Sequence, residues 1–161
     1  MIKFMTWFKN VGLNLINSEK PLSDLYNAVS PCSSKALTST SVWYLLSSTN
    51  LVHSALTKYF SNAEGVVTYT GTQTVKVKFA GSAFVETSKA CKLTFQIYVN
   101  DVVVAGGSTT RDITASAKIS GMDIVKILEL EAGDIVTVKA NSDTNNTDLT
   151  VHNINLVITT V

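Results

Sequence analysis

From Gly65 onward the chain alternates apolar and polar positions at the period of two that marks a strand with one buried face. Val75, Val77 and Phe79 alternate with Lys76 and Lys78, and Gly81–Thr87 carries the run on past a glycine expected to bend it. Leu93, Phe95, Ile97 and Val99 alternate with Lys92, Thr94, Gln96 and Tyr98. Asn100 and Asp101 then supply a turn, and Val102–Ala105 returns as the second arm of a hairpin. Gly106–Thr110 reads as loop, and Ile113–Ile119 alternates weakly. Ile124–Leu130 and Ile135–Ala140 flank Ala132, Gly133 and Asp134 as another hairpin. In the last segment Leu149 and Val151 share one parity, while Ile154, Leu156 and Ile158 share the other. That switch predicts a bulge at His152 and Asn153. With Val66–Thr70 included, about eight antiparallel strands at short spacing predict a mainly β chain, a two-sheet jelly-roll sandwich over residues 65–161.

Residues 1–64 carry a different pattern. Phe4, Trp7, Phe8, Val11 and Leu15 fall on one face at helical spacing, widened by Ile2, Met5 and Ile16. Leu22, Leu25, Tyr26 and Val29 predict a short amphipathic helix stopped by Pro31, and Cys32–Thr40 reads as a Ser/Thr-rich linker. Val42–Leu46 fits helix or strand and is assigned to a helix because Ser39 and Ser41 are good caps. Leu51, Val52, Ala55, Leu56, Tyr59 and Phe60 predict a further helix capped by Asn50. The expectation is a helical N-terminal arm with more apolar surface than such short helices hide among themselves. It would either pack on the β domain or dock on another protein or a membrane surface. Of those two docking modes, a groove on a protein is favoured for Phe4, Trp7 and Phe8 with Lys3 and Lys9.

Composition narrows the partners. The 161 residues are 45% hydrophobic and only 16% charged, with net charge +1. So weakly charged a surface has little self-repulsion, which favours burial in an assembly. No basic run provides an electrostatic footprint for nucleic acid. Lys9 interrupts the first apolar run and no small-residue cleavage site follows it, which argues against a secretory signal. No window of about eighteen apolar residues suits a membrane-spanning helix.

Candidate chemistry is sparse. His53 and His152 are the only histidines, and neither has a Cys, Asp or Glu at ligand spacing. Asp101, Asp112, Asp123 and Asp134 recur at equal spacing, but all fall at predicted turns or strand starts, where Asp bonds its local backbone. Cys32 and Cys91 match no metal or redox spacing and read as free, buried thiols. No Ser or Thr sits in a nucleophile motif, so neither an enzyme nor a cofactor is expected. The polar loop Asn141–Asp148, with Asn141, Asp143, Asn145 and Asn146, is a candidate recognition loop. Asn145-Asn146-Thr147 within it is a formal glycosylation sequon, read only as a sign of exposure.

Taken in order, the β region resembles the jelly-roll heads of the C1q/TNF type and their viral relatives. The resemblance rests on Tyr69-Thr-Gly with Val75–Phe79, on Leu93-Thr-Phe-Gln-Ile-Tyr-Val-Asn-Asp with Val102-Val-Val, on Leu128-Glu-Leu-Glu-Ala-Gly-Asp-Ile-Val-Thr-Val, and on the closing Leu149–Val161. The chain departs from the extracellular branch in lacking a collagen-like stalk and most of the aromatics that fill that branch's trimer axis. With the arm in place of a stalk, it looks more like a phage virion protein: a capsid decoration, spike, penton or fibre subunit. The resemblance implies a homo-oligomer, a trimer in preference to a pentamer. It also implies attachment to other capsid proteins through residues 1–64, with Phe4, Trp7, Phe8, Val11, Trp43 and Leu45 as anchors. The alternative is a fibre head that binds a host receptor or glycan.

Overall fold

The computed structural model describes residues 34–46, 59–114 and 119–161, and the backbone of 23–28 and 51–53. Among these residues are twelve strands and no helix. They are β1 (Ser23–Ala28), β2 (Ser34–Leu37), β3 (Tyr44–Leu45), β4 (Leu51–His53), β5 (Phe60–Ala63), β6 (Val66–Tyr69), β7 (Val75–Thr87), β8 (Cys91–Val99), β9 (Val102–Ile113), β10 (Ser120–Leu130), β11 (Ile135–Ser142) and β12 (Thr147–Thr160). They build two antiparallel sheets. The first runs β10-β7-β12-β1-β4, with β2 also paired to β12; the second runs β5-β6-β11-β8-β9, with β3 also paired to β11.

Three segments read as helices are strands instead. Ser23–Ala28 pairs with both β12 and β4, Tyr44–Leu45 pairs with β11, and Leu51–His53 pairs with β1. The supposed linker Cys32–Thr40 contains β2, and Phe60, placed on a helix, begins β5. Long strands explain the outcome. β12 spans 14 residues, and one of its edges is covered in tandem, by β2 along Thr147–Thr150 and by β1 along Ile154–Thr159. β11 is covered in the same way by β6 and β3. Ladder bonds of this kind outweigh the weak intrinsic preference of a short segment. Five strands thus come from residues 23–63, and Leu37 and Leu46 of that region lie in the common core. The stripe Phe4, Trp7, Phe8 and Val11 lies outside the described residues.

The inward positions of both sheets fill the sandwich. Phe79, Leu93, Ile97, Ile113, Met122, Leu130, Leu149 and Ile158 are almost wholly buried. Cys91 is a buried free thiol; Cys32 lies outside the described residues. β7 runs through Gly81 with its pairing to β10 and β12 unbroken there. The glycine's missing Cβ makes room for the close approach of Leu156 and Ile124, whose methyls would lie 3.0 and 3.1 Å from a Cβ there. Asn100 and Asp101 both adopt positive φ, the geometry of the tight hairpin turn. The bulge of β12 falls where the parity switch predicts it, with the register shifting between Val151 and Asn153.

The stretch 106–110 read as loop belongs to a continuous β9. Its pairing with β8 skips between Gln96 and Tyr98, leaving extra residues around Gly106 and Gly107. The Gln96 amide nitrogen occupies that bulge, 2.9 Å from the Val104 carbonyl and 3.0 Å from those of Ile97 and Gly107. One side chain thereby serves the carbonyls that the ladder leaves unpaired.

Candidate interaction face

The outward face of the β12 sheet exposes several large apolar side chains. β10 buries Met122, Ile124, Leu128 and Leu130 yet turns Val125 and Ile127 outward, 57% and 59% exposed. On neighbouring β7 the outward Phe84 is 57% exposed. Register aligns these residues in rows across the sheet: Val125, Ala80 and Val157; Ile127, Lys78 and Thr159; Asp123, Ser82 and Asn155; Gly121, Phe84 and Asn153. The middle of the face is small or apolar. A strand that is apolar on both faces is characteristic of sheets covered on both sides, and a contiguous bare apolar patch marks an interaction surface.

Charge on this face carries both signs, with Lys78 beside Ile127 and Asp123 between the rows of Val125 and Phe84. Lys76 lies 3.7 Å from Glu129, both well exposed, so their pairing contributes little to stability. Lys78 and Asp123 stand on separate rows. At the opposite end His152 Nε2 meets Glu86 Oε2 at 2.9 Å. The edge beside this face is guarded. Lys126 takes an inward position between Ile124 and Leu128 and reaches toward β9, where a Cβ on Gly106 would lie 3.2 Å from its Nζ. An inward lysine on an edge strand discourages strand addition at this edge.

The outward face of the β11 sheet is built differently, because the chain covers part of it with itself, around Tyr98, while Val103 and Ile135 stay exposed. Trp43, ahead of β3, packs edge-on against Tyr98 with ring centroids 6.1 Å apart. Lys139 Nζ lies 4.4 Å from the Tyr98 ring centroid and 2.9 Å from Asp101 Oδ1. Burial pushes the Tyr98 phenol above its ordinary value, and the Lys139 charge opposes that shift. Thr137, directly across from Tyr98, is 7% exposed, and its hydroxyl has no hydrogen-bond partner.

The crossover from β2 to β3 is held by the loop singled out for recognition. Asn141 donates to the carbonyls of Thr40 and Val42, at 2.9 and 2.8 Å. Asn145 Oδ1 accepts from the Thr40 amide at 2.8 Å, and the Asn145 carbonyl accepts from Lys89 at 3.2 Å. Asp143 Oδ1 accepts from the Lys92 amide at 2.8 Å. Asn146 adopts positive φ at the turn. Of the anchor candidates, Trp43 and Leu45 are half-buried, Leu45 across from Lys139.

The four evenly spaced aspartates are not brought together. Asp134 accepts from the Asn100 side chain and the Glu131 amide, Asp101 pairs with Lys139, Asp112 lies 4.0 Å from Lys92, and Asp123 is exposed. Among the described residues no group of three or more His, Cys, Asp or Glu could hold a metal ion. Phe84, Val125 and Ile127 are the residues that strand assignment alone passes over. Their signal is in the sequence, where Ile124-Val125 and Ile127-Leu128 set apolar residues on both parities of one strand.

No protein-family model matches the chain, and no curated protein sequence does. Solved structures do. Eiger TNF from S. frugiperda is similar with a TM-score of 0.62 at 8% identity, over 88% of this chain and 92% of that one. Murine APRIL gives 0.58 at 11% identity, over 86% and 99%. The PRD1 vertex protein P5 gives 0.56 at 5% identity, over 86% and 94%. At such low identity what is shared is the fold, a jelly-roll head of the TNF-like kind.

Proposed function

We propose that this chain is a structural virion protein, a jelly-roll head that self-associates through the outward face of the β12 sheet and is fastened to a particle by its N-terminal residues. The observation that carries the reading is the outward exposure of Phe84, Val125 and Ile127, set against an opposite face on which the chain's own Trp43 packs over Tyr98. A second copy suits the outward face of the β12 sheet. It exposes apolar side chains among charges of both signs and belongs to a chain of net charge +1, so like surfaces do not repel. Stable association calls for roughly 1,600 Å² of total buried surface.

A trimer is the state that the resemblance implies. Likeness to a vertex protein supports a place on a virion, and likeness to TNF-like heads supports a projecting, binding role as the second reading. The fastening segment is residues 1–22, whose apolar positions Phe4, Trp7, Phe8 and Val11 precede β1. Trp43 and Leu45, joined to the body, serve the head more than the attachment. Because β1 and β2 are paired to β12, the informative deletion ends before Ser23.

Light scattering on the full chain and on one starting at Ser23 tests the reading. A mass three times that of one chain for both, with only the full chain joining particles, is the expected result. A monomer at all concentrations for the full chain overturns self-association, and normal incorporation of the shortened chain overturns the fastening role.

A further inference from the structure

The bulge of β12 does more than absorb an extra residue. Val151 and Ile154 are both buried, so the two residues between them, His152 and Asn153, are carried to the outer side. Asn153 falls across from Phe84. His152 meets Glu86, which shares the outward parity of Phe84 on β7, and each side chain of the pair is 32% exposed. The pair therefore adjoins the apolar patch. The other charged groups near it stand apart: Lys35 on β2 is exposed across from Leu149, Lys89 bonds the Asn145 carbonyl, and Asp148 is exposed on β12. Among the described residues neither His152 nor Glu86 has another ion-pair partner.

We infer that this pair makes association through the face proton-linked, tighter at about pH 6 than at about pH 8, the range in which a histidine changes charge. The inference rests on the self-association reading above. With a neutral imidazole the pair carries one net negative charge, and covering it with a second copy buries that charge. With an imidazolium the pair is neutral and joined by a charge-assisted hydrogen bond. Covering the pair thus favours the protonated imidazole, and association takes up protons. The sign follows: the added stability is present below the histidine range and lost as pH rises through it. In acid strong enough to protonate the carboxylate it is lost again.

The test is sedimentation equilibrium of the full chain from about pH 5.5 to 8.5 at fixed ionic strength. Wild type is expected to gain affinity toward low pH, by at most on the order of tenfold per protomer per pH unit. His152→Gln is expected to associate with no such dependence, while His53→Gln keeps it. Glu86→Gln should reverse the sign, because protonation then leaves a cation without its carboxylate. Association with a constant that ignores pH overturns the inference and leaves self-association standing. A Glu86→Gln chain that behaves like wild type also overturns it. A monomer at every pH removes both.

Discussion

The two sheets of this sandwich have equally well filled inner faces and opposite outer ones. On the β11 sheet the outer face is closed around Tyr98 by the chain's own crossover, with Trp43 on Tyr98 and Asn141 and Asn145 tying residues 40–42 in place. On the β12 sheet the outer face leaves Phe84, Val125 and Ile127 exposed. The difference separates two uses of one kind of surface: a covered face contributes to folding, and an uncovered one contributes to association. Substitutions on the two faces should therefore act on different measurements.

The largest effect belongs to the bare face. Val125→Asp should lower the association constant on the order of 100-fold or more, since burying an unpaired carboxylate costs several kcal/mol. The isolated protomer should keep its stability within about 0.5 kcal/mol, as exposed positions do. Sedimentation and chemical denaturation read the two quantities separately. Loss of folding instead would show that the bare face belongs to the core.

Gln96→Leu on the covered sheet should do the reverse. It leaves the carbonyls of Val104 and Gly107 without their donor and should cost about 2–3 kcal/mol in denaturant unfolding. Association of the folded fraction should not change. A smaller, conditional effect comes from Tyr69 and Tyr98. Burial raises both phenols, with Tyr59 adding to the shift at Tyr69 and Lys139 opposing it at Tyr98. A phenol raised in the folded state gives stability that is complete below the ordinary value near 10 and declines as pH climbs from there toward the folded value. Alkaline denaturation midpoints should shift upward in Tyr98→Phe, with no change near neutrality from this cause. Smallest is Thr137→Val, which removes an unpartnered buried hydroxyl and should raise stability by about 1 kcal/mol in thermal unfolding.

Much of the fold is legible in the sequence, and the remainder fails for identifiable reasons. From β6 onward, alternation places the strands, the Asn100-Asp101 turn and the bulge at His152, because a half-buried strand writes its period directly into side-chain polarity. Gly106–Thr110 misleads because the glycines serve a bulge whose carbonyls are met by Gln96, ten residues earlier in sequence. Residues 23–63 mislead more thoroughly. Leu25 and Tyr26, or Val42 and Leu45, fit helical spacing in windows too short to decide, and what decides is the free edge of β12 or β11, distant in the chain. Of the interaction face, the doubled apolar parity of β10 is visible in advance. The clasp formed by Asn141 and Asn145 is not, since its acceptors and donors on residues 40–42 come together only in the folded molecule.

The antiparallel pairing of β1 with β12 also has a mechanical consequence. Ser23 lies across from Thr159, the first of six residue pairs that end at Ala28 and Ile154. Tension applied at Ser23 along the strand would load those pairs together in shear instead of peeling them one at a time. A head pulled in this way would take the load in the interior of one of its six-stranded sheets, between β12 and β4. Its resistance to force is then set by the sheet as a whole, not by the strength of the outermost contact.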